Sequence, residues 1–324
     1  MASSLRMKKA AVIALKDYLG LSEYETLLVI TDEEKREIGM TLFEESKALC
    51  AESIYLEMKS RTINGEEPPP PVANIMKEVD AVICPTSKSL THTNARREAS
   101  KLGVRVATMP GITVDTMIRC LSADHEQIMK LTHFLADKMR QISKIRVTTK
   151  LGTDITFPMK GRQVIPSTGV LRNIGESGNL PSGEVYLAPI EDKSQGKLII
   201  DGSMGSIGIV DEHIVVDVVD GYAKSISGGA EAKMLEKLLD DAGKDGRAVA
   251  EFGIGTNYKA RVTGDILEDE KVLGTIHVAF GNNLSMGGKI AVNIHLDGIV
   301  RRPTVYFDDE VIMEEGRIIL EWDI

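Results

Sequence analysis

The sequence predicts an α/β N-terminal domain built on a doubly wound parallel sheet, followed by an α+β C-terminal domain. Three observations lead there. Short apolar runs alternate with helical patterns between residues 26 and 109, the signature of strand–helix–strand units. Beyond residue 144 the texture changes, and short β-rich runs follow one another with little helix between them. A length of 324 residues suits two domains or one large one, and the change of texture sets the expected division at 1–143 and 144–324.

In the first domain, residues 5–19 carry helical periodicity, with Ala11, Leu15, Tyr18 and Leu19 apolar. TLLVIT (26–31) is a continuous apolar run of strand length. Thr31 and Glu34 have the spacing of a capping box, opening a helix to about Leu49. SIYLEMK (53–59) reads as a second strand. EEPPPP (66–71) is a stiff connector ending at the first turn of a short helix, because proline fixes φ and donates no hydrogen bond. DAVICPT (80–86) and VRVATM (104–109) are further strands, separated by a helix in THTNARREASKLG that stops at Gly103. An amphipathic helix runs from Asp124 to about Ser143.

In the second domain, IRVTT, DITFPM, EVYLAP, KLIIDGS, IGIV, HIVVDVVDG, AVAEFGIG and PTVYFDD all read as strands, and only residues 229–242 are strongly helical. There is no internal repeat. Cys50, Cys84 and Cys120 are odd in number, widely spaced and free of C-x-x-C, so they read as buried thiols. The formal charge of −9 argues against nucleic-acid and anionic-membrane partners. No apolar run has the length of a membrane span, and the N-terminal stretch is an amphipathic helix without a cleavage site, so a cytoplasmic protein is expected.

The chemistry concentrates between Gly274 and Asp297. In TIHVAF, His277 shares a strand face with Thr275 and Ala279, while Ile276, Val278 and Phe280 point the other way. In VNIHLDG, His295 and Asp297 project together, with Val292, Ile294 and Leu296 on the opposite side. Imidazole and carboxylate at this spacing suit zinc, cobalt, iron or manganese. The two strands could pair as a hairpin around Asn282-Asn283 and Gly287-Gly288, and whether both histidines then share a face depends on the parity of the loop. Two more acids fit. Glu184 opens a strand after a Pro/Gly-rich loop, and Glu251 interrupts an apolar strand before a glycine-rich turn, where burial without a partner would cost several kcal/mol. Five ligands are enough for two adjacent ions, an arrangement that favours hydrolysis by lowering the pKa of a shared water and stabilising the oxyanion.

Elsewhere, His92, Arg96 and Arg97 stand at the start of a helix after the third strand, where open α/β sheets often bind ligands. An ordinary basic helix surface is the plainer reading. His125, His133 and His213 have no paired ligand and read as structural. GSMGSIG (202–208) lacks a G-K-[ST] signature and reads as a turn.

Together, SLTHTNARREA, NLPSGEVYLAP, AEFGIGTN, LGTIHVAFGNN and IHLDG resemble the aminopeptidase T / aminopeptidase S family of metallo-aminopeptidases, in the family's order and over most of the chain. The resemblance implies metal ligands at Glu184, Glu251, His277, His295 and Asp297, a pair of zinc, cobalt or manganese ions, a peptide substrate and a homodimer. Asp297 and Glu251 would bridge the ions, and Glu184 or Glu251 would move the proton. The chain departs from the family in two ways. It carries Leu284 where the family has an active-site tyrosine, with Tyr258 and Tyr222 as candidates to compensate, and its connection from His277 to His295 is short. The same fold is similar to that of the 2,5-dihydroxypyridine ring-cleaving dioxygenases, which use one iron. In that alternative, His277, His295 and Asp297 form a two-histidine-one-carboxylate iron(II) site and both glutamates stand outside it. A further alternative, motivated by the missing tyrosine, is a non-catalytic relative that keeps the fold and a metal for stability.

Overall fold

The computed structural model of the chain describes residues 2–320. It divides into two compact units, Met1–Glu126 with Thr168–Ser182, and Gln127–Ser167 with Gly183–Ile324. The division falls ahead of the change in texture at residue 144 because the helix His125–Met139 turns Leu131, Leu135, Ala136 and Met139 into the core of the second unit. The segment 168–182 returns to the first unit, where Ser177–Asn179 adds an edge strand.

In the first unit, the strands Thr26–Asp32, Glu52–Met58, Ala81–Thr86, Arg105–Pro110 and Ser177–Asn179 form one parallel sheet. The first two sit in reverse order at one edge, the arrangement of a doubly wound sheet. Every residue of Ala81–Thr86 is buried, as a strand covered on both faces requires. Val82, Cys84, Leu28 and Ile30 pack with Val72 and Met76 of the helix Pro70–Ile75 and with Ala95 and Ala99 of Asn94–Lys101. Pro70 takes the first helical position, as the proline run implied. The expected capping box does not form. Thr31 lies inside the strand, and the helix Arg36–Ser46 begins only after a turn in which the Asp32 carboxylate accepts the Lys35 N–H.

In the second unit, an eight-stranded and a seven-stranded antiparallel sheet share one core with the helix Ala230–Asp241. Alternate residues of each sheet supply it: Ile145, Val147, Ile155 and Phe157 from one, Phe252, Ile254, Ile276, Val278 and Phe280 from the other. The rings of Phe157 and Phe252 meet at 5.3 Å between centroids. GSMGSIG is a tight hairpin between Ser203–Met204 and Gly208–Ile209. Cys84 and Cys120 are buried and Cys50 is partly so, all three as free thiols. No helix among the described residues is long and apolar enough to cross a membrane.

Candidate metal centre

Four adjacent strands of the seven-stranded sheet carry the site: Glu184–Leu187, Val249–Gly255, Thr275–Gly281 and His295–Arg301. Opposed residues in an antiparallel pair share a face, so the register places each side chain. Ala279 lies between Glu251 and Asp297, His277 between Gly253 and Ile299, and Gly281 opposite His295. Glu184 lies opposite Gly255, and Tyr186 opposite Gly253. Glu184, Glu251, His277, His295 and Asp297 therefore stand on one face, while Val185, Leu187, Phe252, Ile276, Val278 and Leu296 fill the core on the other.

Glu251 reaches that face by an irregularity. Val249 points into the core, and unbroken alternation would send Glu251 after it. A one-residue slip between Val249 and Glu251 reverses the phase and aims the carboxylate at the histidines. Two glycines of the same strand, read from sequence as part of a turn, form the floor. A Cβ on Gly253 would come 2.1 Å from His277 Nε2, so only glycine lets the imidazole lie across the strand. A Cβ on Gly255 would meet Val272 O at 2.2 Å, so the backbone of Lys271 and Val272 crosses the sheet there.

The five residues converge. The Glu251 carboxylate lies between the two imidazoles, with Oε1 3.1 Å from His277 Nε2 and Oε2 3.2 Å from His295 Nε2. His295 Nε2 is 3.5 Å from Asp297 Oδ2, and His277 Nε2 is 3.5 Å from Glu184 Oε2. His295 Nδ1 lies 2.7 Å from Asn282 O, a carbonyl that can only accept, so this contact orients the ring and leaves Nε2 facing the cluster. His277 is fully buried, whereas the His295 side chain is 31% exposed and marks the open side of the site.

Ligand atoms of Glu251, His295 and Asp297 lie within 4.8 Å of one another, and so do those of Glu184, Glu270 and His277. Sequence reasoning missed Glu270 and its neighbour Lys271, because EDEK looks like a solvated charged run and no periodicity marks it. Lys271 is buried, and its Nζ donates to Glu184 Oε1 at 2.8 Å and to Glu270. Tyr186, on the same row as His277, was also missed. Tyr222 instead lies beside Lys244 and Asp192, Tyr258 is 39% exposed, and Leu284 is an exposed residue of the turn Leu284–Met286.

Burial pushes the Glu251 carboxyl up, but hydrogen bonds and charge from His277 and His295 outweigh it and hold the group at about 2. Burial alone would lower His277, yet Glu251, Glu184 and Asp297 raise it to about 9. His295 is raised well above its ordinary value against burial by Asp297 and Glu251. Burial pushes Glu270 up to about 8 and raises Glu184 as well. Burial is also the main reason that Tyr186 titrates well above an ordinary tyrosine, followed by the charge of Glu251 and Glu184.

The residues fit a divalent cation. Glu184 Oε2 and Asp297 Oδ1 are buried and make no hydrogen bond, a costly arrangement for carboxylate oxygens that a cation would relieve. Two imidazoles with hard carboxylates are also the donor set such ions prefer. The first-unit residues have structural partners. Arg96 donates to Thr91 O and Ser177 Oγ, and Arg97 donates to His92 O. His125 packs against Tyr18 with 5.6 Å between ring centroids, and His133 and His213 are exposed.

A histidine–carboxylate cluster on the non-core face of an antiparallel sheet, reached through a strand bulge and a glycine floor, has the donor types from which divalent-metal sites are built. The chain belongs to the NicX family, 2,5-dihydroxypyridine 5,6-dioxygenase, whose model matches residues 20–320. A 2,5-dihydroxypyridine 5,6-dioxygenase of Pseudomonas putida KT2440 is 26% identical over 251 residues, 64% of this chain and 71% of that protein. The solved structure of 2,5-dihydroxypyridine dioxygenase from Pseudomonas putida KT2440 has a TM-score of 0.84 at 18% identity, covering 98% of both chains. AmpT from Thermus thermophilus has a TM-score of 0.73 at 16% identity, covering 97% of this chain and 99% of its own.

The family match overturns the aminopeptidase reading, and with it the hydrolase activity and the peptide substrate. At 16% identity the likeness to AmpT is one of fold. The five ligand types fitted either resemblance and could not discriminate. What departs from the aminopeptidase pattern is their surroundings, with Leu284 in the tyrosine position.

Proposed function

We propose that the protein is a mononuclear iron(II) dioxygenase that opens a dihydroxylated nitrogen heteroaromatic ring of the 2,5-dihydroxypyridine type. The observation that carries this reading is the convergence of His277, His295 and Asp297 on one sheet face, in a chain of the NicX family. His277 and His295 would hold the ion through Nε2, and Asp297 through a carboxylate oxygen. Bound there, iron(II) supplies the one-electron chemistry that lets dioxygen react with a closed-shell ring.

The chain's own groups do the rest. Asn282 O fixes the His295 ring. Glu251, beside both imidazoles, is placed to accept a hydrogen bond from a ring hydroxyl and so to orient the substrate. Tyr186, opposite Gly253 on the row of His277, offers a phenol to a ring substituent. The exposed side of His295 is the route of entry.

An oxygen-electrode assay of the iron(II)-loaded protein tests this. Uptake on adding 2,5-dihydroxypyridine, lost in His295→Ala, is expected. Stably bound iron with no uptake across a panel of dihydroxylated rings would sink the proposal.

A further inference from the structure

Glu184, Glu270 and His277 have the donor set of a second cation site, with ligand atoms within 4.8 Å of one another. A cation is already there. Lys271 Nζ is bonded to Glu184 Oε1 at 2.8 Å and to Glu270, and its side chain is 1% exposed. Its backbone is held where it crosses Gly255. Lys271 N donates to Glu268 O at 2.9 Å, and Lys271 O accepts from Asn257 N at 2.8 Å.

Charge and space point the same way. Glu184, Glu251, Glu270 and Asp297 bring four carboxylates to the two clusters. The ammonium offsets one of them, and a divalent ion at His277, His295 and Asp297 offsets two more. A second divalent ion at Glu184 and Glu270 would have to compete with the ammonium for the same oxygens while sitting against its charge. With Glu184 and Glu270 engaged by the lysine, His277 Nε2 is left to the ion shared with His295 and Asp297.

We propose that Lys271 is a tethered substitute for a second metal ion, which restricts the centre to one divalent ion and assigns His277 to it. This rests on reading His277, His295 and Asp297 as an ion site, and the test separates the two.

The whole chain is titrated with Mn²⁺ and read by elemental content after buffer exchange and by electron paramagnetic resonance. The wild-type protein is expected to saturate at one ion per chain with the six-line signal of an isolated ion. Lys271→Ser should saturate at two ions, with the broadened signal of a coupled pair, and Lys271→Arg should stay at one. Two ions in the wild-type protein would overturn the proposal. One ion in folded Lys271→Ser would overturn it too, while leaving the first site intact. No ion in any chain would overturn both this proposal and the reading beneath it. If circular dichroism shows Lys271→Ser unfolded, the wild-type and Lys271→Arg counts decide, and two ions in either contradicts the role of the lysine.

Discussion

Asp32 and Asp297 are both buried strand carboxylates, and they are treated in opposite ways. Asp32, at the end of the first parallel strand, accepts from Ser87 N and Ser87 Oγ at 2.6 Å and from Lys35 N at 3.2 Å. Its charge is answered within the chain, so it ties two strand ends together. Asp297 is equally hidden, yet Oδ1 has no hydrogen bond and Oδ2 has only an imidazole at 3.5 Å. A carboxylate whose bonds close inside the protein serves the fold; one left partly unmatched among other carboxylates serves something the chain does not contain.

The contrast breaks first at the ligands. His295→Ala should lose iron binding and lower oxygen uptake by at least about 100-fold, beyond the loss typical of an outer-shell change. Metal content and uptake report it together, and an active, iron-loaded variant would remove His295 from the site. Gly253→Ala comes next, because its methyl would lie 2.1 Å from His277 Nε2. Crowding of this kind costs about 1–3 kcal/mol, and the displaced imidazole should weaken iron binding by about 10–100-fold. Unchanged iron affinity would show that the ring is not held as described.

Ser87→Ala tests the closed network. It removes one bond to Asp32 and should destabilise the protein by about 1–3 kcal/mol in urea unfolding, with activity per folded molecule unchanged. Loss of activity in the folded variant would mean that Asp32 does more than hold the fold.

The smallest effect belongs to Glu25. Burial pushes its carboxyl up, but the Ser22 N–H and the Arg105 guanidinium, the latter at 2.7 Å, hold it below its ordinary 4.5. Its folded value is depressed, so its contribution is present above 4.5 and is lost as pH falls through the folded value. Glu25→Gln should therefore cost about 1 kcal/mol near neutral pH, and the difference should close in acid. A difference that persists in acid would mean the loss is one of packing.

The parts visible in the sequence are those governed by short periods. Alternation in IHLDG placed His295 and Asp297 on one face, and the observed register, with the odd-length connection 282–294, brings His277 onto it as well. The parallel sheet was legible because its buried strands are unbroken apolar runs. Other features depend on the chain meeting itself. The bulge that turns Glu251 around leaves no mark in AVAEFG, and the glycines after it looked like a turn until the His277 ring and the Lys271–Val272 backbone were laid over them. Glu270 and Lys271 sit in a run of charges whose burial follows only from that crossing. The helix 125–139 was expected in the first domain because its apolar stripe does not say which core it will enter.

The most direct test of the ring-opening account is isotopic. The iron(II)-loaded protein is mixed with 2,5-dihydroxypyridine under ¹⁸O₂, and the product is weighed by mass spectrometry. Both labelled oxygen atoms should appear in one ring-opened product. A product with one label or none, or an intact ring over a fully iron-loaded protein, would contradict the account.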